Sequence, residues 1–316
     1  MSKEIKNFNA KYKTEISENI EELDALSKKI GDNGLKILCS IKFTKLTQLL
    51  LEENDISNID VLAKNNFGKN LIALDLSSNK ISSIEVLAKV NFPSLNHLFL
   101  NSNQISSIDI FAKVNFPNLK ELNLSSNKLN SIDIFSKVNF TKLTSLDLSK
   151  NQISSIDILA SAKFPLLEDL SLDQNKISSI DVFLKIKCDN FKKIKLEKNN
   201  LKNIDILGKI AFKKLNYLSI GDDTLGDKVD CLTKINFVEL EDIYLYLNDN
   251  IDRETQKIQS IATYFEDKGV TFNFISCDDD NDNDMNFGDD ELNVGGGNKN
   301  NNLDGGFDAL LNSDAF

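Results

Sequence analysis

Hydrophobic residues recur along most of this chain at intervals of 24 or 25 positions. Leu71, Leu74, Leu76 and Asn79 return as Leu119, Leu122, Leu124 and Asn127, and again as Leu143, Leu146, Leu148 and Asn151. The pattern LxxLxLxxN ends at Asn54, Asn79, Asn103, Asn127, Asn151, Asn175, Asn199, Asp223 and Asn248, giving nine copies. Its LxL alternation predicts one short strand per copy. Downstream lie a phenylalanine column (Phe43, Phe67, Phe92, Phe116, Phe140, Phe164, Phe212, Phe237) and a column of Ile or Val from Ile59 to Val229. Cys188 interrupts the phenylalanines. A carboxylate follows each Ile or Val, as in Asp109 and Asp133, and precedes a stretch such as 110–114 that predicts a short helix. That carboxylate is expected to cap the helix's free N–H groups. One copy cannot bury such a face alone, and stacking joins the columns into one core.

With these motifs the chain resembles the leucine-rich repeat superfamily, over residues 46–248. The resemblance implies an α/β solenoid: a curved horseshoe with a parallel concave sheet and short convex helices. Geometry agrees, since strands sit about 4.8 Å apart whereas a helix is about 10 Å across, so the helical side fans out. Nine strands give about 38 Å of inner sheet. That is enough for a standard interface of about 800 Å² per partner.

The asparagines are expected to form a ladder, each amide satisfying backbone groups where the chain leaves a strand. Pro93, Pro117 and Pro165 each follow a column phenylalanine, where a fixed φ should end the helix and turn the chain. Open ends need capping. Residues 1–45 are expected to supply a helical N-terminal cap with a half repeat. Helical periodicity spans 19–30, a break falls at Gly31 to Gly34, and Leu35, Leu38, Ile41 and Phe43 match the second half of a repeat. Nine repeats then occupy 46–251. A C-terminal cap at 252–277 is expected, with a helix from Asp252 to Lys268, a stop at Gly269 and a last strand at 270–275.

Charge changes the picture only at one end. The formal total is −11. Residues 278–316 hold eleven acids and one base, Lys299, leaving the body nearly neutral. This Asp/Asn/Gly-rich segment reads as a disordered acidic tail. Within it Phe307, Leu310 and Leu311 stand at helical spacing and could dock in a groove. A contact between the tail and the chain's own lysines is a further expectation.

Composition excludes several classes. No apolar run reaches the ~18 residues of a membrane span, and residues 1–7 lack a secretory signal's apolar stretch. The four cysteines show no CxxC spacing, so no disulfide framework or zinc site is expected. Arg253 is the only arginine, which argues against a nucleic-acid partner. No phosphate loop, activated nucleophile or calcium cluster is present, so neither catalysis nor a cofactor is expected. A cytoplasmic address, also nuclear, is expected.

The residues flanking the inward leucines should face the concave side. Most are Ser, Asn, Asp or Lys. The exceptions are Leu50, His97 and Phe99 near the front, and Tyr217, Tyr244 and Tyr246 near the back, beside Lys193 and Lys195. Aromatic rings on a rigid sheet favour binding, and the same rings can also stack across strands. His97, the only histidine, lacks a second ligand or nucleophile and reads as an ordinary surface residue within this set. The expected function is a non-catalytic scaffold or adaptor that binds a protein on the concave face. The alternative is a regulatory subunit of an intracellular phosphatase, kinase or GTPase. Leucine-rich repeat regulators of type-1 phosphatases and acidic nuclear phosphoproteins look similar in architecture, the former with shorter repeats, the latter with glutamate-dominated tails.

Overall fold

The computed structural model describes residues 2–221, 225, 228–247 and 256–276. The tail, with Phe307, Leu310 and Leu311, lies outside the described residues, as do Asp223, Asn248 and Asp252. Eleven strands form one sheet in chain order, every pair parallel. They are β1 (Glu22–Asp24), β2 (Gln48–Leu50), β3 (Ala73–Asp75), β4 (His97–Phe99), β5 (Glu121–Asn123) and β6 (Ser145–Asp147). Then follow β7 (Asp169–Ser171), β8 (Lys193–Lys195), β9 (Tyr217–Gly221), β10 (Asp242–Leu247) and β11 (Thr271–Ser276). The solenoid places the sheet on the concave side and the return segments on the convex side. In each short strand the middle residue is buried, so Leu49, Leu74, Leu98, Leu122 and Leu146 stack in register.

The convex elements are 3₁₀ helices of four or five residues, such as Asp109–Ala112 and Asp133–Ser136. Their capping departs from expectation. The column isoleucine itself occupies the N-cap position, because its side chain must enter the core (Ile108 is 2% exposed), and no N-cap side chain bonds the helix. The capping oxygen instead comes one residue earlier. Ser107 Oγ accepts the Asp109 N–H at 3.2 Å, Ser131 Oγ that of Asp133 at 3.1 Å, and Asn203 Oδ1 that of Asp205 at 2.6 Å. The carboxylates are left exposed in the first turn.

The prolines also act differently. The 3₁₀ helix ends at Ala88, before Pro93 is reached. Pro93 sits second in a turn closed by Leu95 N–H donating to Phe92 O at 3.2 Å, and Leu119 to Phe116 repeats it around Pro117. The turn toward the next strand therefore holds; the helix stop does not.

The asparagine ladder is present. Asn127 Nδ2 donates to Leu100 O, Leu124 O and Ser125 O, while its Oδ1 accepts the Ile105 N–H at 2.9 Å. The residue before each asparagine (Ser78, Ser102, Ser126, Lys150, Gln174, Lys198) stands at φ 52–54°, a left-handed conformation that the ladder holds without glycine.

At the front, the helix expected over 19–30 is a strand. Glu22 and Asp24 face out while Leu23 is fully buried, and Ala25 N–H continues the ladder to Leu50 O at 3.0 Å. Leucines three apart mimicked a helix, but pairing with β2 satisfies this backbone and covers the sheet edge. The expected break at Gly31 to Gly34 opens a helix, α2 (Gly31–Ser40). Gly34 is there for close packing: a Cβ would lie 2.4 Å from Ile30 Cβ. A further helix that sequence reasoning did not predict, α1 (Lys3–Tyr12), lays Ile5, Phe8 and Tyr12 over the core, and Tyr12 Oη donates to Ile30 O at 3.2 Å.

At the back, α3 (Gln256–Glu266) buries Ile258, Ile261 and Phe265. Gly269 follows at φ 72°, and β11 pairs with β10 as expected.

Candidate functional site

Three columns face the concave side: the residues on either side of each buried strand leucine, and the position two further on. Strand register decides which meet. At the front, Leu50, Asp75 and Phe99 lie side by side on β2, β3 and β4. Asp75 is thus held between two apolar residues and is 8% exposed. Burial pushes its carboxyl up to about 6, against the opposing pull of the Ser77 N–H and hydroxyl on its Oδ1. His97 Nδ1 lies 2.9 Å from Glu121 Oε2 on the next strand, and its ring runs nearly parallel to Phe99 at 6.4 Å. Leu50, His97 and Phe99 are all half-buried.

The middle of the face is polar and largely self-satisfied. Asn123 Oδ1 accepts Ser125 N–H and hydroxyl, and Asp147 Oδ1 does the same with Ser149. These Asx turns explain why Asn, Asp and Ser dominate these columns: they serve the backbone.

At the back, Tyr217 and Tyr244 stack across β9 and β10 with ring centres 5.2 Å apart, 29° from parallel. Lys195 Nζ stands 6.0 Å above the Tyr217 ring, and Lys193, the register partner of Tyr217, is exposed. Lys192, by contrast, is paired to Glu168 at 2.7 Å. Tyr246 lies over Gly221, whose φ is 114° and whose absent Cβ would fall 2.0 Å from Tyr246 O, so only glycine permits this approach. Burial raises the phenol pKa of Tyr217, Tyr244 and Tyr246, keeping all three as neutral hydrogen-bonding rings.

A feature that sequence reasoning missed lies beside the back patch. Asp173 and Glu197 occupy the same column on adjacent repeats, and Ser219 Oγ donates to Glu197 Oε2 at 2.6 Å. Burial, then Glu197 and Asp147, push the Asp173 carboxyl up to about 8, and burial likewise raises Glu197. The only signal was a column that reads Ser77, Asn101, Ser125, Ser149 before turning acidic. The arrangement brings the front and back aromatic sets to one face, five strand spacings or about 24 Å apart. That face offers aromatic rings, lysines and hydrogen-bonding groups.

The leucine-rich repeat family matches residues 93–153 and 117–177, and its two-copy form matches residues 69–113. The chain carries leucine-rich repeats. Among solved structures, this repeat protein is similar to an internalin, InlF, from Listeria monocytogenes, with TM-score 0.52 and 21% identity over 86% of this chain and 82% of that one. Internalin C2 from the same bacterium gives 0.47 and 24% over 61% and 92%. The PEPR1–AtPEP1 structure gives 0.51 and 20% over 75% and 33%. These likenesses are of fold. No curated protein matches the chain. Leucine-rich repeat domains typically bind proteins and are usually non-catalytic. Among the described residues no helix is long and apolar enough to cross a membrane.

Proposed function

We propose that this protein is a non-catalytic scaffold that binds a partner protein on its concave face. The observation behind the reading is the back patch, where the stacked Tyr217–Tyr244 pair is flanked by Lys193 and Lys195. Rigid rings bury much area at little entropic cost, and lysines beside them select acidic groups. The partner segment would therefore offer apolar and acidic side chains together. Phe99, His97 and Leu50 form the second contact in this reading, and Tyr246 extends the first.

The test compares quantitative affinity capture by wild type and by Phe99→Ala/Tyr244→Ala/Tyr246→Ala. A protein lost from the triple variant is then titrated against each form. We expect binding weakened by about 30-fold or more, the scale of a hot-spot residue. An identical partner set with unchanged affinity would remove the concave-face reading. A cytoplasmic address, also nuclear, belongs to the same proposal, and imaging of a fluorescent fusion in the source cells checks it.

A further inference from the structure

Away from the concave sheet, the spine breaks at Cys188. Throughout the middle of the solenoid a phenylalanine two residues after the column carboxylate packs edge-on against the spine phenylalanine 29 residues later. Phe111 meets Phe140 at 5.8 Å, Phe135 meets Phe164 at 5.3 Å, and Phe183 meets Phe212 at 5.6 Å. Between the last two the pair is Leu159, a leucine as at Leu62, Leu87, Leu207 and Leu232, and Cys188, which replaces the spine ring. A neighbour is also truncated: the column of Val90, Val114, Val138, Ile186 and Ile210 contains Ala162. Leu159, Ala162 and Cys188 line one open cleft of about 350 Å³. Phe191, standing where other repeats have leucine, fills part of the lost volume and packs on Phe212 at 5.2 Å. It does not close the cleft.

The rim carries its own departure. The position before each spine residue is Asn66, Asn91, Asn115 and Asn139 in earlier repeats and Ala211 and Asn236 in later ones. It is lysine at Lys42, far from this place, and at Lys163 and Lys187, which both line the cleft, whose wall includes no acidic side chain. Two losses of apolar volume, at Ala162 and Cys188, and two lysines thus converge on one site. Close packing is the rule for such interiors. A void between two aromatic pairs, with two lysines in its wall, has the make-up of a ligand site: an apolar chamber with few polar groups at its mouth.

We propose that this cleft binds a small amphiphilic carboxylate, its apolar chain replacing the missing ring and its head group lying against Lys163 and Lys187. The volume is at the lower end of the ~300–1,000 Å³ of small-molecule pockets, so the chain is of medium length. The inference is independent of the concave-face reading.

The experiment is calorimetric titration of the full chain with decanoate, with decanol as the uncharged control. Wild type is expected to bind one decanoate saturably and decanol more weakly. Cys188→Phe restores the spine and should weaken decanoate by at least about tenfold, since the ring occupies the chamber. Ala162→Val, which copies Val138, should also weaken it and decides the matter if Cys188→Phe does not fold. Lys163→Gln and Lys187→Gln should each weaken decanoate about two- to fivefold while leaving decanol unchanged. No saturable decanoate binding, or binding unchanged in the filled variants, overturns the site. Equal affinity for decanol, or indifference to both lysine changes, overturns the assignment of a carboxylate.

Discussion

Replacing Asn127 by alanine tests what holds one repeat to the next. The side chain is 8% exposed and makes four hydrogen bonds. They are not equivalent once it is gone. Leu100 O keeps the Asn103 amide at 3.1 Å, and Leu124 O keeps the Asn151 amide at 3.0 Å. The Ile105 N–H has no such substitute and becomes a buried orphan, a penalty of about 1–3 kcal/mol. Adding the net loss of the three donated bonds gives about 3 kcal/mol, high for a single substitution. Urea unfolding followed by circular dichroism measures it as a shift in midpoint at constant slope. The ladder also predicts coupling. Removing Asn127 and Asn151 together strips Leu124 O of both amide donors, so the double variant should lose about 1 kcal/mol more than the sum. Asn127→Ala with Asn199→Ala shares no carbonyl and should add. A single-variant cost below about 1 kcal/mol, or strict additivity for the adjacent pair, would refute this account.

Three further outcomes follow from the same geometry. Asp173 titrates up to about 8 in the fold against an ordinary value of 3.8, so the folded state binds the extra proton between them and stability must fall as pH rises through that window. Unfolding free energy should drop by on the order of a few kcal/mol from pH 4 to pH 9, with Asp75 contributing below about 6; Asp173→Asn should remove most of that slope, and an unchanged slope would contradict it. Ser107→Ala should cost about 1 kcal/mol by uncapping a 3₁₀ helix, whereas Asp109→Asn should stay within about 0.5 kcal/mol; the reverse order in urea unfolding would restore the carboxylate as the cap. Gly221→Ala forces a Cβ onto the Tyr246 carbonyl and should cost about 3 kcal/mol or more, with amide exchange accelerated along β9 and β10. A loss under about 1 kcal/mol would mean the strands separate easily there.

The 24-residue spacing was enough, from the sequence alone, for the inward leucines and the asparagine ladder, because each stacked copy meets the same environment. Periodic burial leaves a periodic imprint. Where the environment changes, the sequence misleads. Residues 22–24 look helical by the spacing of their apolar neighbours, yet pair with β2 because a solenoid end needs its edge covered. The capping serine, the orphan-free turn at Pro93 and the left-handed Ser126 depend on which side chain the core claims first. Leu50, His97, Phe99 and the tyrosines were legible as candidates because they break a polar background. That Leu50 and Phe99 flank Asp75, that Glu197 raises the proton affinity of Asp173, and that Leu159 and Cys188 line one shared void are facts of register between repeats. The sequence determined what each column contains. Only the stacked structure decided which members of different columns touch, because contact across repeats depends on the offset at which one coil lies upon the next.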